Sequence, residues 1–157
     1  MPPTGIRACR LTGRGRAGNL TERPIAAAFV VSNVRIYGLA RRKPNKQAKE
    51  FAQAAARIAQ ERHCTDIVVL DLRGLSPATD YFVIATGTSE RQRRTVADEA
   101  SELARQSDMY RFGRAGYEQG RWILLDFVDV VVHLFDPEYR EFYDLELLWG
   151  DAEKIDF

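Results

Sequence analysis

Cysteine is scarce in this chain of 157 residues: there are two, Cys9 and Cys64, far apart in the sequence. Two such residues exclude a disulfide framework and a C-x-x-C metal site, and fit a reducing compartment. No apolar run approaches the roughly eighteen residues of a membrane-spanning helix, so no membrane partner is expected. Neither a P-loop nor a G-x-G-x-x-G run occurs, which removes two common phosphate-cradling motifs. Acid is nearly missing from residues 1–46, where ten Lys/Arg face the single Glu22. That stretch is net +9, leaving 13 basic and 21 acidic groups, net −8, in residues 47–157 beneath an overall charge of +1. A unit of that sign is repelled by bare phosphate backbone and attracted to basic proteins. Direct nucleic-acid binding by the folded part is therefore not expected.

What is present suits one domain: the length is ordinary for one core, and 45% of the residues are hydrophobic. Residues 1–46 read as a basic extension without sustained hydrophobic period. Disorder, cleavage as an Arg-rich, acid-poor organelle transit peptide, or an over-long reading frame would each account for it. A secretory signal does not fit, because Arg35 and Arg41-Arg42-Lys43 follow the apolar patch at 25–31 without a clear small-residue cleavage site. A folded domain is expected over 47–152, then a short tail over 153–157. The expected location is the cytoplasm, or an organelle if the extension is a transit peptide.

Within the domain, Asn45 is a plausible cap for an alanine-rich amphipathic helix over 48–61, with Phe51, Ala55, Ile58 and Ala59 on one face. The run DIVVLDL at 66–72 predicts a buried central strand, and DYFVIAT at 80–86 a second. Ser89 with Gln92 forms a capping box for a helix to about residue 106, burying Val96, Ala100, Leu103 and Ala104. Residues 109–112 suggest a short edge strand before a glycine-punctuated loop. Strands over 121–126 and 130–135, joined by a tight turn, predict an antiparallel pair. Asp136-Pro137 then opens a last helix whose stripe is Tyr139, Phe142, Tyr143 and Leu147. The fold class is α/β: a mixed sheet covered by helices.

No constellation of polar residues marks catalysis. Gly87-Thr88-Ser89 lies where a strand meets a helix and could hold a phosphate, but an ordinary N-cap at Ser89 is the simpler reading. Asp126 and Asp129 suggest a metal pair, yet their spacing of three crosses a turn, where two acids two apart would share a strand face. A solvated hairpin tip or a partner-facing acidic patch is the simpler reading. His133 lies in a strand with no nucleophile beside it, as a structural or interface histidine would. The aromatics are the better signal: Trp122 and Leu124 on one strand face, and Tyr139, Phe142, Tyr143, Leu147, Leu148 and Trp149 towards the end. Trp and Tyr are typical anchors of protein interfaces.

Several runs resemble the Iojap family, the ribosomal silencing factors. They are DIVVLD at 66–71, TDYFVIATGTS at 79–89, WILLD at 122–126, DVVVHLF at 129–135 and YDLELLWG at 143–150. The resemblance covers about residues 47–152 in order. It implies a nucleotidyltransferase-like fold that has lost its metal-binding acids, hence no enzyme and no cofactor. It also implies binding to the large ribosomal subunit through its protein number fourteen, at the face that meets the small subunit, blocking subunit joining and repressing translation. Organellar relatives act in large-subunit assembly in mitochondria, and there is a chloroplast branch. By position, Trp122 matches the family's interface tryptophan, with Leu124, Asp126, Asp129, His133, Tyr143 and Trp149 as further contact or supporting residues. Ala115 departs from the family's glutamate in the glycine-rich loop, although Glu118 is close. Residues 1–46 match nothing in the family. The alternative expectation is a nucleotidyltransferase-like enzyme or nucleotide-binding protein using Asp71, Asp80, Asp126 or Asp129. A homodimer through the exposed aromatic face could coexist with ribosome binding.

Overall fold

A computed structural model describes residues 45–109 and 113–157. The extension up to residue 44, and 110–112 of the expected edge strand, lie outside the described residues. Asn45 caps α1 (Lys46–Glu61) by accepting from the Gln47 N–H. The alanines Ala48, Ala52, Ala55, Ala56 and Ala59 then let this helix lie close on the sheet, with Phe51 buried and Ile58 partly buried against the core. Next come β1 (Thr65–Asp71), β2 (Tyr81–Thr86) and α2 (Glu90–Gln106). They are followed by β3 (Gly113–Ala115), β4 (Trp122–Asp126), β5 (Val130–Phe135), α3 (Pro137–Tyr143), α4 (Leu145–Leu148) and β6 (Glu153–Lys154).

The six strands form one mixed sheet in the order β3-β4-β5-β2-β1-β6. Only β2 and β5 run parallel; β4 and β5 are the expected antiparallel hairpin, with Trp122 opposite Phe135 and Leu124 opposite His133. Helices α1 and α2 cover one face over Tyr81, Val83, Ala85, Ile123 and Leu125. The other face holds Leu70, Phe82, Ile84, Trp122 and Phe135, and receives Leu145, Tyr139, Tyr143 and Trp149 from the chain after β5.

Five expectations change. The central buried strand is β2, every residue of which is buried, while β1 is exposed at its start. A register irregularity between Thr65 and Val68, with Asp66 at φ 48°, lifts the first half of β1 off the core. Leu103 is only partly buried on α2. The edge strand seen is Gly113–Ala115, inside the expected loop, because these residues pair with Leu124 to Asp126. The last helix is two. Asp144 takes a left-handed conformation (φ 35°, ψ 62°), ends α3 through its N–H to Arg140 O, and starts α4 by accepting from the Leu147 N–H. The residues after 152, expected as a tail, carry β6 against Leu70 and Asp71, and Ile155 and Phe157 pack on the core.

The turn between β4 and β5 holds a β-branched residue at positive φ, Val128 at 71°. Asp126 Oδ1 accepts its N–H at 2.8 Å, and the Asp129 N–H closes on Phe127 O at 2.9 Å. Left-handed backbone costs a branched residue about 1–2 kcal/mol and a glycine nothing. Val128→Gly is therefore expected to raise stability by about 1 kcal/mol in urea denaturation, after the entropy cost of glycine.

Candidate functional site

Trp122, Leu124, His133, Tyr143 and Trp149 come together on the α3–α4 side of the sheet, but not as exposed contacts. Trp122 keeps 3% of its surface. Its ring stacks on Phe135 at 4.8 Å and meets Tyr143 at 4.6 Å, and Nε1 donates to His133 Nδ1 at 3.3 Å. Leu124 is equally buried and His133 wholly so. Trp149 stands edge-on to Phe82 at 5.9 Å and is half-buried, as is Tyr143. These residues form the floor beneath the helical cover.

Asp126 and Asp129 sit apart from them, at the hairpin end. Asp126 shapes the turn through Val128, and burial pushes its carboxyl above the ordinary range against that one hydrogen bond. Asp129 accepts from Asn45 Nδ2 at 3.0 Å, tying the start of α1 to the hairpin. Among the described residues, no three His, Cys, Asp or Glu side chains gather as metal ligands would. The Gly87-Thr88-Ser89 turn satisfies its own groups. The Thr88 N–H goes to Gln92 Oε1, the Gln92 N–H to Ser89 Oγ, and buried Arg93 donates to the carbonyls of Gly87 and Gly120. A Cβ on Gly87 would stand 2.6 Å from Arg93 Cγ, so the Arg93 side chain occupies the space beside Gly87.

Burial, with the charge of Arg140 adding to it, lowers the His133 pKa from 6.5 to about 3. The unfolded chain thus binds a proton below about pH 6.5 and the folded chain only near 3. The contribution of neutral His133 is complete above pH 6.5 and is lost as pH falls through that window. Urea midpoints measured across it are expected to fall more steeply for the native chain than for His133→Asn. Parallel curves would remove His133 as the source.

The outward surface of the cover was misassigned by periodicity. Phe142, Leu147 and Leu148 expose 79%, 78% and 69% of their surface and, with Leu75, are the exposed large hydrophobics among the described residues. Phe142 points outward within α3, and Leu147 and Leu148 do so beyond the break at Asp144, while Tyr139 and Tyr143 face the sheet. Glu138, Glu141, Asp144 and Asp151 lie exposed around them in sequence. Two arginines pin the cover. Arg121 holds Asp136 at 2.6 Å, pairs with Glu138 and lies over the Tyr139 ring at 4.3 Å. Arg140 bonds Asp66 O at 2.8 Å and pairs with Glu146. The signal available in sequence was Asp144 itself, a residue type that tolerates left-handed backbone and caps helices.

Comparison with known proteins agrees with this fold. The family described as "Ribosomal silencing factor during starvation" matches residues 45–157. A "Ribosomal silencing factor RsfS" of Halalkalibacterium halodurans is 37% identical over 108 residues, covering 69% of this chain and 92% of that protein. "Protein Iojap, chloroplastic" of Zea mays is 36% identical over 106 residues, covering 68% of this chain and 46% of the maize protein. A crystal structure of a Chromobacterium violaceum protein superposes with a TM-score of 0.63 at 33% identity, covering 70% of this chain and 91% of that one. Among the described residues no helix is long and apolar enough to cross a membrane. With its described domain matched from Asn45 to the last residue, this chain belongs to the ribosomal silencing factor family, regulators of translation that include Iojap.

Proposed function

We propose that this chain represses translation by docking on the large ribosomal subunit, at its protein number fourteen, and excluding the small subunit from the same face. The observation that carries the reading is the exposure of three large apolar side chains within seven residues, Phe142, Leu147 and Leu148, a ridge with exposed carboxylates close to it in sequence. An apolar centre inside a charged rim is the anatomy of a protein interface. A net −8 domain suits a basic ribosomal partner, steering the encounter while the ridge supplies affinity. An interface of about 800 Å² on each side blocks a second macromolecule by volume alone, with no chemistry.

Trp122, Leu124, His133, Tyr143 and Trp149 act from behind in this reading, holding the helices that carry the ridge, and Asp126 and Asp129 set the hairpin. A second copy on the same ridge would compete with the ribosome. It would also bring the two acidic rims together, which makes it the weaker occupant. A role in large-subunit assembly fits the same docking surface; a mouse relative, 33% identical over 96 residues, is named "Mitochondrial assembly of ribosomal large subunit protein 1". The place of action is the cytoplasm, or an organelle if the basic extension directs the chain there.

Sedimentation with isolated large and small subunits tests this. The native protein is expected to travel with the large subunit only, and the double variant Phe142→Ala/Leu148→Ala to bind about thirty-fold more weakly. Both side chains are exposed, so the melting temperature should stay within error. Native binding to the large subunit that survives in the variant would move the interface elsewhere. No binding by the native chain would sink the ribosomal reading.

A further inference from the structure

Three side-chain atoms beneath the helical cover are buried without a protein partner: Thr86 Oγ1, His133 Nε2 and Arg140 Nη1. Thr86 is 3% exposed and His133 0%. They stand on neighbouring parallel strands, Thr86 beside Phe135 and His133 beside Ile84, so on one face they are diagonal neighbours. Arg140 comes from α3, which packs on β5. Its Nη2 bonds Asp66 O at 2.8 Å, next to Thr65, the register partner of Thr86 on the other strand. Its positive charge is felt at the His133 ring.

The chemistry of the three atoms selects their guest. An indole N–H only donates, so the contact from Trp122 makes His133 Nδ1 an acceptor and places the imidazole proton on Nε2. Arg140 Nη1 also only donates, whereas the Thr86 hydroxyl accepts as well. One small group that accepts from Nε2 and Nη1 and exchanges a hydrogen bond with the hydroxyl, in either direction, would serve all three. An anion could accept from all three, so charge decides. The charge of Arg140 is already matched by the Glu146 carboxylate, so an anion would bury an unmatched negative charge. A water meets all three requirements, with three hydrogen bonds, the usual number for a buried water.

We infer that one structural water is bound between Thr86, His133 and Arg140 and links the α3 cover to the middle of the sheet. Through it, the helices that carry the exposed ridge are hydrogen-bonded to β2 and β5 as well as packed on them. The water is independent of whatever docks outside.

A double-mutant cycle tests it. Thr86→Val, near-isosteric but without the hydroxyl, is expected to lower the folding equilibrium constant about five-fold. In a His133→Phe background, where the ring cannot hold the water, the same change should lower it by less than about two-fold. An equal loss in both backgrounds would overturn the shared guest; Arg140→Lys replaces His133→Phe if that variant fails to fold. A crystal grown in bromide gives a second reading. Density within hydrogen-bond reach of all three atoms and without anomalous signal is expected. Bromide at that position, or no density there, would overturn the assignment.

Discussion

Trp122→Ala is expected to lose about 3–5 kcal/mol of folding stability, the usual cost of truncating a buried large aromatic. The ring is 3% exposed, stacks on Phe135, meets Tyr143, and satisfies His133 through its N–H. Removing it leaves a cavity under α3 and a buried imidazole nitrogen without its donor, and the second effect adds to the first. The urea midpoint should fall clearly, with any loss of ribosome binding following from a loosened cover. Full stability with abolished binding would mean instead that the indole itself meets the partner and that α3 moves aside to let it. The same variant thus separates a floor residue from a contact residue, which binding alone cannot do.

Gly116→Ala is expected to cost at least as much, about 3 kcal/mol or more, for a reason lying wholly in the backbone. Gly116 has φ 72°, and a Cβ there would stand 1.8 Å from the carbonyl oxygen of Trp122. The obstacle is main chain at the start of β4, which cannot rotate away without opening the β3–β4 connection. Gly120→Ala is the control. Its φ is 67°, but its Cβ would meet the flexible Glu90 side chain at 2.2 Å, and that side chain can swing into solvent. Both variants carry the penalty for a non-glycine residue at positive φ, so the difference between their urea midpoints measures the clash alone. Equal midpoints would show that β4 yields more easily than this geometry allows.

Much of the fold was legible because local chemistry and tertiary demand agree there. Asn45, Ser89 and Asp136 each cap the helix that the hydrophobic period opens. The β4–β5 hairpin follows from two apolar runs too close together to be joined otherwise. The readings that failed are those where a long-range partner decided the outcome. DIVVLDL has the composition of a central strand, yet Val83 and its neighbours on β2 took the centre, because β2 is paired along its length by β1 and β5 while β1 has only the two-residue β6 on its other side. Gly113 to Ala115 have weak strand propensity and are strand only because β4 offers them a partner.

The candidate site divides in the same way. That large aromatics crowd a short stretch, Tyr139 to Trp149, was readable. Which side of the cover they occupy was not. A helical period over 139–147 places Phe142 and Leu147 with Tyr139 and Tyr143 on one stripe, yet only the tyrosines pack on the sheet: Phe142 is exposed within α3, and Leu147 lies beyond the left-handed Asp144. By itself the sequence determined the class of the fold, its caps, its hairpin, the charge contrast between extension and domain, and the family. Tertiary structure alone decided which aromatics are floor and which are ridge, and that Arg93 closes the space at Gly87. Burial belongs to pairs of surfaces, and residues distant along the chain become a surface only once the sheet has formed.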